Sequence, residues 1–228
     1  MVAKIKNYED FVKGLIYCGM TMASENSEQV FSLGAYFDTD IAWHTEDADT
    51  DPWEWRMKVL QERNDIAYGK LFFKKAGYIT SEYFPYFYKV RRKNTLIEEY
   101  ENGAISQSAK KIYELMLEEK EMPLHLIKEY AGFTAKEDKT KFQSAMTELQ
   151  MKLYISMCGG KRKESKTGNE YGWNTTVFCL TEHFFQESVL DAAKNVTEEE
   201  AFLILKNKIV ALNPNVKEAR LHKFILGR

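Results

Sequence analysis

From Ser106 onward the hydrophobic positions recur with a helical period. Ser106 has an N-cap side chain, and Ala109, Ile112, Tyr113 and Met116 follow it on one helix face. Pro123 suits the first turn of a second helix, where a missing N–H costs nothing, and Leu124, Ile127 and Tyr130 continue that helix. Gly132 stands where a helix ends in a left-handed residue. Thr134 and Glu137 have the spacing of a capping box, which predicts a third helix over residues 134–151. Phe142, Met146, Leu149 and Leu153 face inward from it, and Lys139, Lys141, Gln143, Ser144, Thr147 and Gln150 make up its other face. Two helices joined by a short glycine-containing turn are a helix-turn-helix arrangement, whose second helix enters the major groove. The pattern then turns β-rich and partly alternating. Residues 153–158 and 173–180 read as two strands, joined by a glycine-rich loop that carries Lys161, Arg162, Lys163 and Lys166. Gly159-Gly160-Lys161 lacks the spacing G-x-x-x-x-G-K-S/T and precedes no helix, so it is not a phosphate loop. Helices and hairpin together outline a winged helix-turn-helix.

On the N-terminal side, Phe11, Leu15 and Cys18 predict an amphipathic helix over residues 8–22. Residues 30–37 are apolar, but their type is left open. A helix with Trp55, Val59 and Ile66 inward is predicted over residues 53–75, followed by a turn at residues 77–81. Ser81 caps a further helix to Lys93, dense in aromatics (Tyr83, Phe84, Tyr86, Phe87, Tyr88) and ending in Arg91, Arg92 and Lys93. Aromatics interleaved with basic residues can stack single-stranded bases. At helical spacing they read as core, with the basic end matched to the helix dipole. Asn102-Gly103 is a turn and the candidate domain boundary. Past the hairpin, helices are predicted over residues 181–193, from the Thr197/Glu200 capping box to Leu212, and around Leu221 and Phe224. These C-terminal helices either pack back on the N-terminal half or form a homodimer interface, and the pattern leaves both open. The expected fold is mainly α with a small β-hairpin: a helical region over 1–103, a winged helix-turn-helix over 104–187 and C-terminal helices over 188–228.

Composition narrows the functional classes. At 228 residues, 44% hydrophobic and 29% charged, the chain has the make-up of a soluble globular protein. A net charge of −2 excludes a generally basic surface, so any nucleic-acid site is local. Cys18, Cys158 and Cys179 are scattered and odd in number, which reads as reduced, buried thiols in a cytoplasmic protein. The charged N-terminus lacks the apolar stretch of a signal peptide, and no apolar run is long enough to span a membrane.

One stretch outside the helix-turn-helix holds candidate chemistry. Between Asp40 and Arg56 lie Trp43, His44, Glu46, Asp47, Asp49, Asp51, Trp53 and Arg56. Trp43, His44, Asp47, Asp51, Trp53 and Arg56 form a candidate pocket, floored by tryptophans and supplied with carboxylates and a histidine. The structural alternative, which the pattern favours, is a capped loop in which Asp51-Pro52 starts a helix and Trp53 packs. The D-x-D-x-D-G spacing of a calcium loop is absent, and neither a metal nor a cofactor is expected. G-x-S-x-G and H-E-x-x-H are also absent, and the four histidines are far apart.

The run D-P-W-E-W-R-M-K-V-L-Q-E-R-N-D-I-A-Y-G-K-L-F-F-K-K-A-G-Y-I, with the later Y-F-P-Y-F-Y-K-V-R-R and the winged-helix stretch, resembles the small bacterial AlkZ-related proteins. These are relatives of the AlkZ-type DNA glycosylases, so the resemblance implies a fold built from winged-helix units. The enzymes position their hydrolytic water with a Gln-x-Gln or Gln-x-Asp pair. Here none of Gln29, Gln61, Gln107, Gln143, Gln150 and Gln186 has Gln or Asp two positions on, so that catalysis does not carry over and no catalytic residue is assigned. The expectation is a regulatory or repair-associated protein that binds duplex DNA without enzymatic activity. Its contacts would come from Lys139, Lys141, Gln143, Ser144, Thr147, Lys161, Arg162, Lys163 and Lys166. The alternatives are a divergent glycosylase using Asp47 or Asp51, and a winged helix that serves only protein–protein contact.

Overall fold

The computed structural model describes residues 3–45, 47, 49–164 and 170–228, with only the backbone described at 162–164 and 170–174. In chain order the elements are α1 (Tyr8–Cys18), β1 (Met20–Met22), α2 (Pro52–Glu62), β2 (Ile66–Phe72), β3 (Lys75–Thr80), α3 (Phe84–Arg91) and α4 (Leu96–Glu101). There follow α5 (Gln107–Leu117), β4 (Met122–Pro123), α6 (Leu124–Tyr130), α7 (Asp138–Met151), β5 (Ile155–Glu164) and β6 (Glu170–Leu180). The chain closes with α8 (Thr181–Phe184), α9 (Glu187–Asp191), α10 (Glu198–Leu212) and α11 (Glu218–Leu226). Two compact units result: Met1–Lys93 with Phe185–Arg228, and Asn94–Phe184. Mainly helical is the right class. In place of a single hairpin, however, each unit holds a three-stranded antiparallel sheet, ordered β1-β3-β2 and β4-β6-β5.

In the first unit, the helix expected over residues 53–75 stops at Glu62, and residues 66–80 form a hairpin. β2 is buried at Ile66, Ala67, Tyr68, Gly69, Leu71 and Phe72, so it shows no apolar–polar alternation and its pattern does not separate strand from helix. Its turn residues, Phe73 and Lys74, both have positive φ (50° and 61°), as a two-residue hairpin turn requires. Neither is the glycine or asparagine that normally announces such a turn. β3 runs through residues 77–80 of the predicted turn. The first helix ends four residues early, at Cys18, because Gly19 takes a left-handed φ of 72°. A Cβ there would lie 2.3 Å from the Tyr83 ring.

The aromatic-rich segment is core, as its spacing implies: Phe84 and Phe87 are buried, and Phe72 stacks on Phe224 at 3.8 Å between ring centres. Arg91 is buried with them. Its guanidinium donates to the carbonyls of Leu71 (2.9 Å), Phe224 (2.6 Å) and Ile225 (2.8 Å). Two of those acceptors lie in the last turn of α11, where a helix leaves carbonyls without internal partners. Burial pulls the Arg91 pKa down to about 9, so the side chain stays charged at neutral pH. The Thr197/Glu200 box forms, and Gly227 ends α11 in the left-handed region.

The second unit is built on one apolar cluster. Ile112 and Met116 of α5, Ile127 of α6, and Phe142, Met146 and Leu149 of α7 pack with Ile155, Phe178 and Leu180 of the sheet. Ser106 caps α5 as expected, accepting from the Ala109 amide at 3.2 Å. Two features here went unpredicted. Thr95 and Glu98 form a full capping box that opens α4, and Met122–Pro123 adds a third strand to the hairpin. The predicted box at Thr134 does not form. α7 begins instead at Asp138, whose carboxylate accepts from the Ala135 amide at 3.2 Å, so the helix is four residues shorter than its spacing implied.

Candidate nucleic-acid interface

α7 places the predicted contact residues, and its packing decides which of them face outward. Phe133, just past the turn at Gly132, is buried and lies 5.6 Å from the Phe142 ring, which anchors the start of the helix. Lys139, Lys141, Gln143 and Ser144 are exposed, and their side chains make no hydrogen bond or ion pair among the described residues. Thr147 follows Gln143 by one helical turn on the same side of α7 but is covered there. It is only 8% exposed, and its hydroxyl donates back to the Gln143 carbonyl at 2.7 Å. Gln150 is buried as well, donating to the Met146 carbonyl at 2.8 Å. Both polar groups are satisfied within their own helix, which removes the cost of burying them. By residue type alone they belong to the polar face, so spacing could not separate them from Gln143 and Ser144.

The acidic residues near this helix are mostly engaged inside the unit. Glu148 accepts from the Ser106 hydroxyl (2.6 Å) and amide (3.2 Å), which ties α7 to the start of α5. Asp138 caps the turn before the helix, as described above. Glu137 remains exposed. Beside the start of α7 is a groove of about 400 Å³, lined by Tyr100, Lys110, Lys111, Gly132, Asp138 and Lys141. Lys111 brings its ammonium within 5.8 Å of the Phe133 ring centre, and Lys110 pairs with Glu114 at 2.7 Å. Lys111 is a residue that sequence reasoning missed. It lies on α5, and only the folding of α5 against the α6–α7 turn brings it beside Lys141.

The basic segment of the hairpin is more strand than loop. β5 runs through Glu164, so Lys161, Arg162 and Lys163 belong to the ladder, with Lys161 opposite Thr175 and Lys163 opposite Tyr171. Lys161 is exposed. The side chains of Arg162 and Lys163 are not described, and Lys166 lies outside the described residues.

The acidic aromatic stretch lies in the first unit and is a capped loop. Asp51 is fully buried, and one oxygen accepts from the Trp53 amide at 2.7 Å as the N-cap of α2, with Pro52 in the first turn. Its other oxygen accepts from the Thr45 amide, also at 2.7 Å. Asp47 accepts from the Thr50 hydroxyl (2.6 Å) and the Asp49 amide (3.0 Å), and these hydrogen bonds hold its pKa below the usual value. Trp43 and Trp53 are exposed. His44 packs on Trp53 at 4.6 Å, and Arg56 lies on the same ring with its guanidinium carbon 3.5 Å from the centre. The six residues are therefore neighbours along one loop and helix start. Their carboxylates, however, accept from amides and a hydroxyl of the loop and helix start. Glu46 lies outside the described residues. Among the described residues, no group of three or more His, Cys, Asp or Glu is placed to hold a metal ion, and no helix is long and apolar enough to cross a membrane.

The family model described as AlkZ related matches residues 5–226, and the chain belongs to that family. No curated protein and no solved structure matches it.

Proposed function

We propose that this member of the AlkZ-related family is a DNA-binding protein, associated with repair, that acts without catalysis through a winged helix formed by its second unit. In that reading α7 lies in the major groove and the β5–β6 hairpin tracks the phosphate backbone of a duplex. The order of elements supports it: α5, β4, α6, turn, α7 and then a hairpin whose second strand, β6, pairs with β4. The observation that carries it is the outward face of α7. Lys139 and Lys141 supply charge and Gln143 and Ser144 can donate and accept at base edges, while Glu148 is turned onto Ser106. With no exposed arginine on that helix, binding rests mainly on phosphates and discriminates little between sequences. The reading assigns no bond cleavage to the Asp47–Asp51 loop, because both carboxylates are held by donors of the loop itself.

The competing reading is a module that contacts only protein. Replacing Lys161, Arg162 and Lys163 together with alanine separates the two. The triple variant is expected to bind every duplex more weakly, with a shallower dependence on salt by about 0.9 for each phosphate that is no longer neutralised. Unchanged affinity at low salt, in a variant that unfolds like the parent, would refute DNA binding through the hairpin.

A further inference from the structure

The hairpin brings together two cysteines that lie far apart in sequence. Ser156 of β5 pairs with Cys179 of β6, Met157 pairs with Phe178, and the register then slips so that Gly159 faces Val177. Cys158 is the extra residue at that slip, a bulge in the ladder. It therefore sits across the strands from Phe178, the residue before Cys179, and both sulfurs are free. Their exposures differ, with Cys158 half-buried and Cys179 buried. The third cysteine, Cys18, is buried against the carbonyl of Leu15 in the other unit and takes no part.

We propose that Cys158 and Cys179 are a thiol–disulfide modification site, at which a small-molecule disulfide oxidises the pair to a reversible cross-strand bridge. The half-buried Cys158 reacts first. Its thiolate attacks one sulfur of the small disulfide, forming a mixed disulfide and expelling one thiolate, which takes up the proton Cys158 gave up. The Cys179 sulfur then attacks the Cys158 sulfur. The protein S–S bond forms, the mixed disulfide breaks, and the second small thiol leaves with the Cys179 proton. Overall two protein thiols are oxidised and one small disulfide is reduced to two thiols.

The environment assigns the order. The hydrogen bond from Cys179 to Cys158, burial, and the charges of Glu121 and Glu182 all hold Cys179 protonated, which suits it to the resolving step and not to the first attack. The bridge would join β5 to β6 beside the bulge. The proposal is independent of what the second unit binds.

Peptide mapping of the full chain tests it. The native protein is equilibrated in buffers of reduced and oxidised glutathione, quenched by alkylation and digested. A peptide linking Cys158 to Cys179 is expected to grow as the oxidised fraction rises and to vanish on adding dithiothreitol, with Cys18 alkylated throughout. In Cys158→Ser, Cys179 is expected to stay a thiol under the same conditions. The proposal is overturned by any of three results in the parent protein: three alkylated thiols at every ratio, a glutathione adduct that persists on Cys158, or linkage through Cys18 or between chains.

Discussion

The two units treat their polar side chains in opposite ways. In the first unit the polar groups that stand out serve structure: Arg91 is sunk in the core on three carbonyls, and Asp51 is sealed over two amides. In the second, α7 satisfies Thr147 and Gln150 within its own backbone and leaves Lys139, Lys141, Gln143 and Ser144 exposed without a side-chain partner among the described residues. A buried polar group is costly unless it is paired, so paired ones report on stability. Exposed and unpaired ones cost nothing to the fold and are available to a partner. On this argument the acidic loop belongs to the architecture, and the outer face of α7 is the surface proposed to meet a partner.

The largest expected effect is on the structural side. Arg91→Ala strips three buried carbonyls of their donor and leaves a void beside Phe72 and Phe224. It should destabilise the protein by about 3–5 kcal/mol in urea unfolding. A loss under about 1 kcal/mol would mean that water or another donor replaces the guanidinium, and the contrast between the units would weaken. Asp51→Ala comes next. Losing a buried N-cap should cost about 1–2 kcal/mol, and Asp51→Asn, which keeps the acceptor, should cost less. Equal losses for the two would show that the charge and the second acceptor, which takes the Thr45 amide, matter more to the loop than the hydrogen bond to the Trp53 amide.

How far these roles could be read from sequence depends on the kind of signal. α7 and its inward residues were legible because Phe142, Met146 and Leu149 repeat at helical spacing, and the Thr197/Glu200 box because its two side chains answer each other locally. The hairpin at residues 66–80 was not legible. It is buried on both faces, and its turn is made by Phe73 and Lys74, residues that carry no turn signal. Thr147 and Asp51 were ambiguous for a common reason. A polar residue looks the same in sequence whether its partner is solvent or a backbone group. Lys111 and the Cys158–Cys179 pair depend on packing and on a bulge, which leave no mark in local spacing.

Smaller effects sharpen the assignment of α7. Thr147→Val should cost about 1 kcal/mol of stability, the worth of one ordinary hydrogen bond, and leave duplex binding unchanged. Gln143→Ala should do the reverse. Stability should move by less than about 0.5 kcal/mol, as for an exposed site, and any base preference should fall by at most about 1 kcal/mol. If Thr147→Val weakened DNA binding while Gln143→Ala did not, the covered C-terminal part of this face, and not Gln143, would have to be the part that meets DNA.

The central claim is that the outer face of α7 is a duplex-DNA surface. It is tested most directly by titrating the full chain against random-sequence duplex at several salt concentrations, alongside Lys139→Ala/Lys141→Ala. For the parent protein the account predicts binding that weakens linearly in log affinity against log salt. For the double variant it predicts a slope shallower by up to about 1.8, or about 0.9 for each lysine that meets a phosphate, with unfolding unchanged. Equal slopes and affinities for the two proteins, or no salt-dependent binding by the parent, would contradict it.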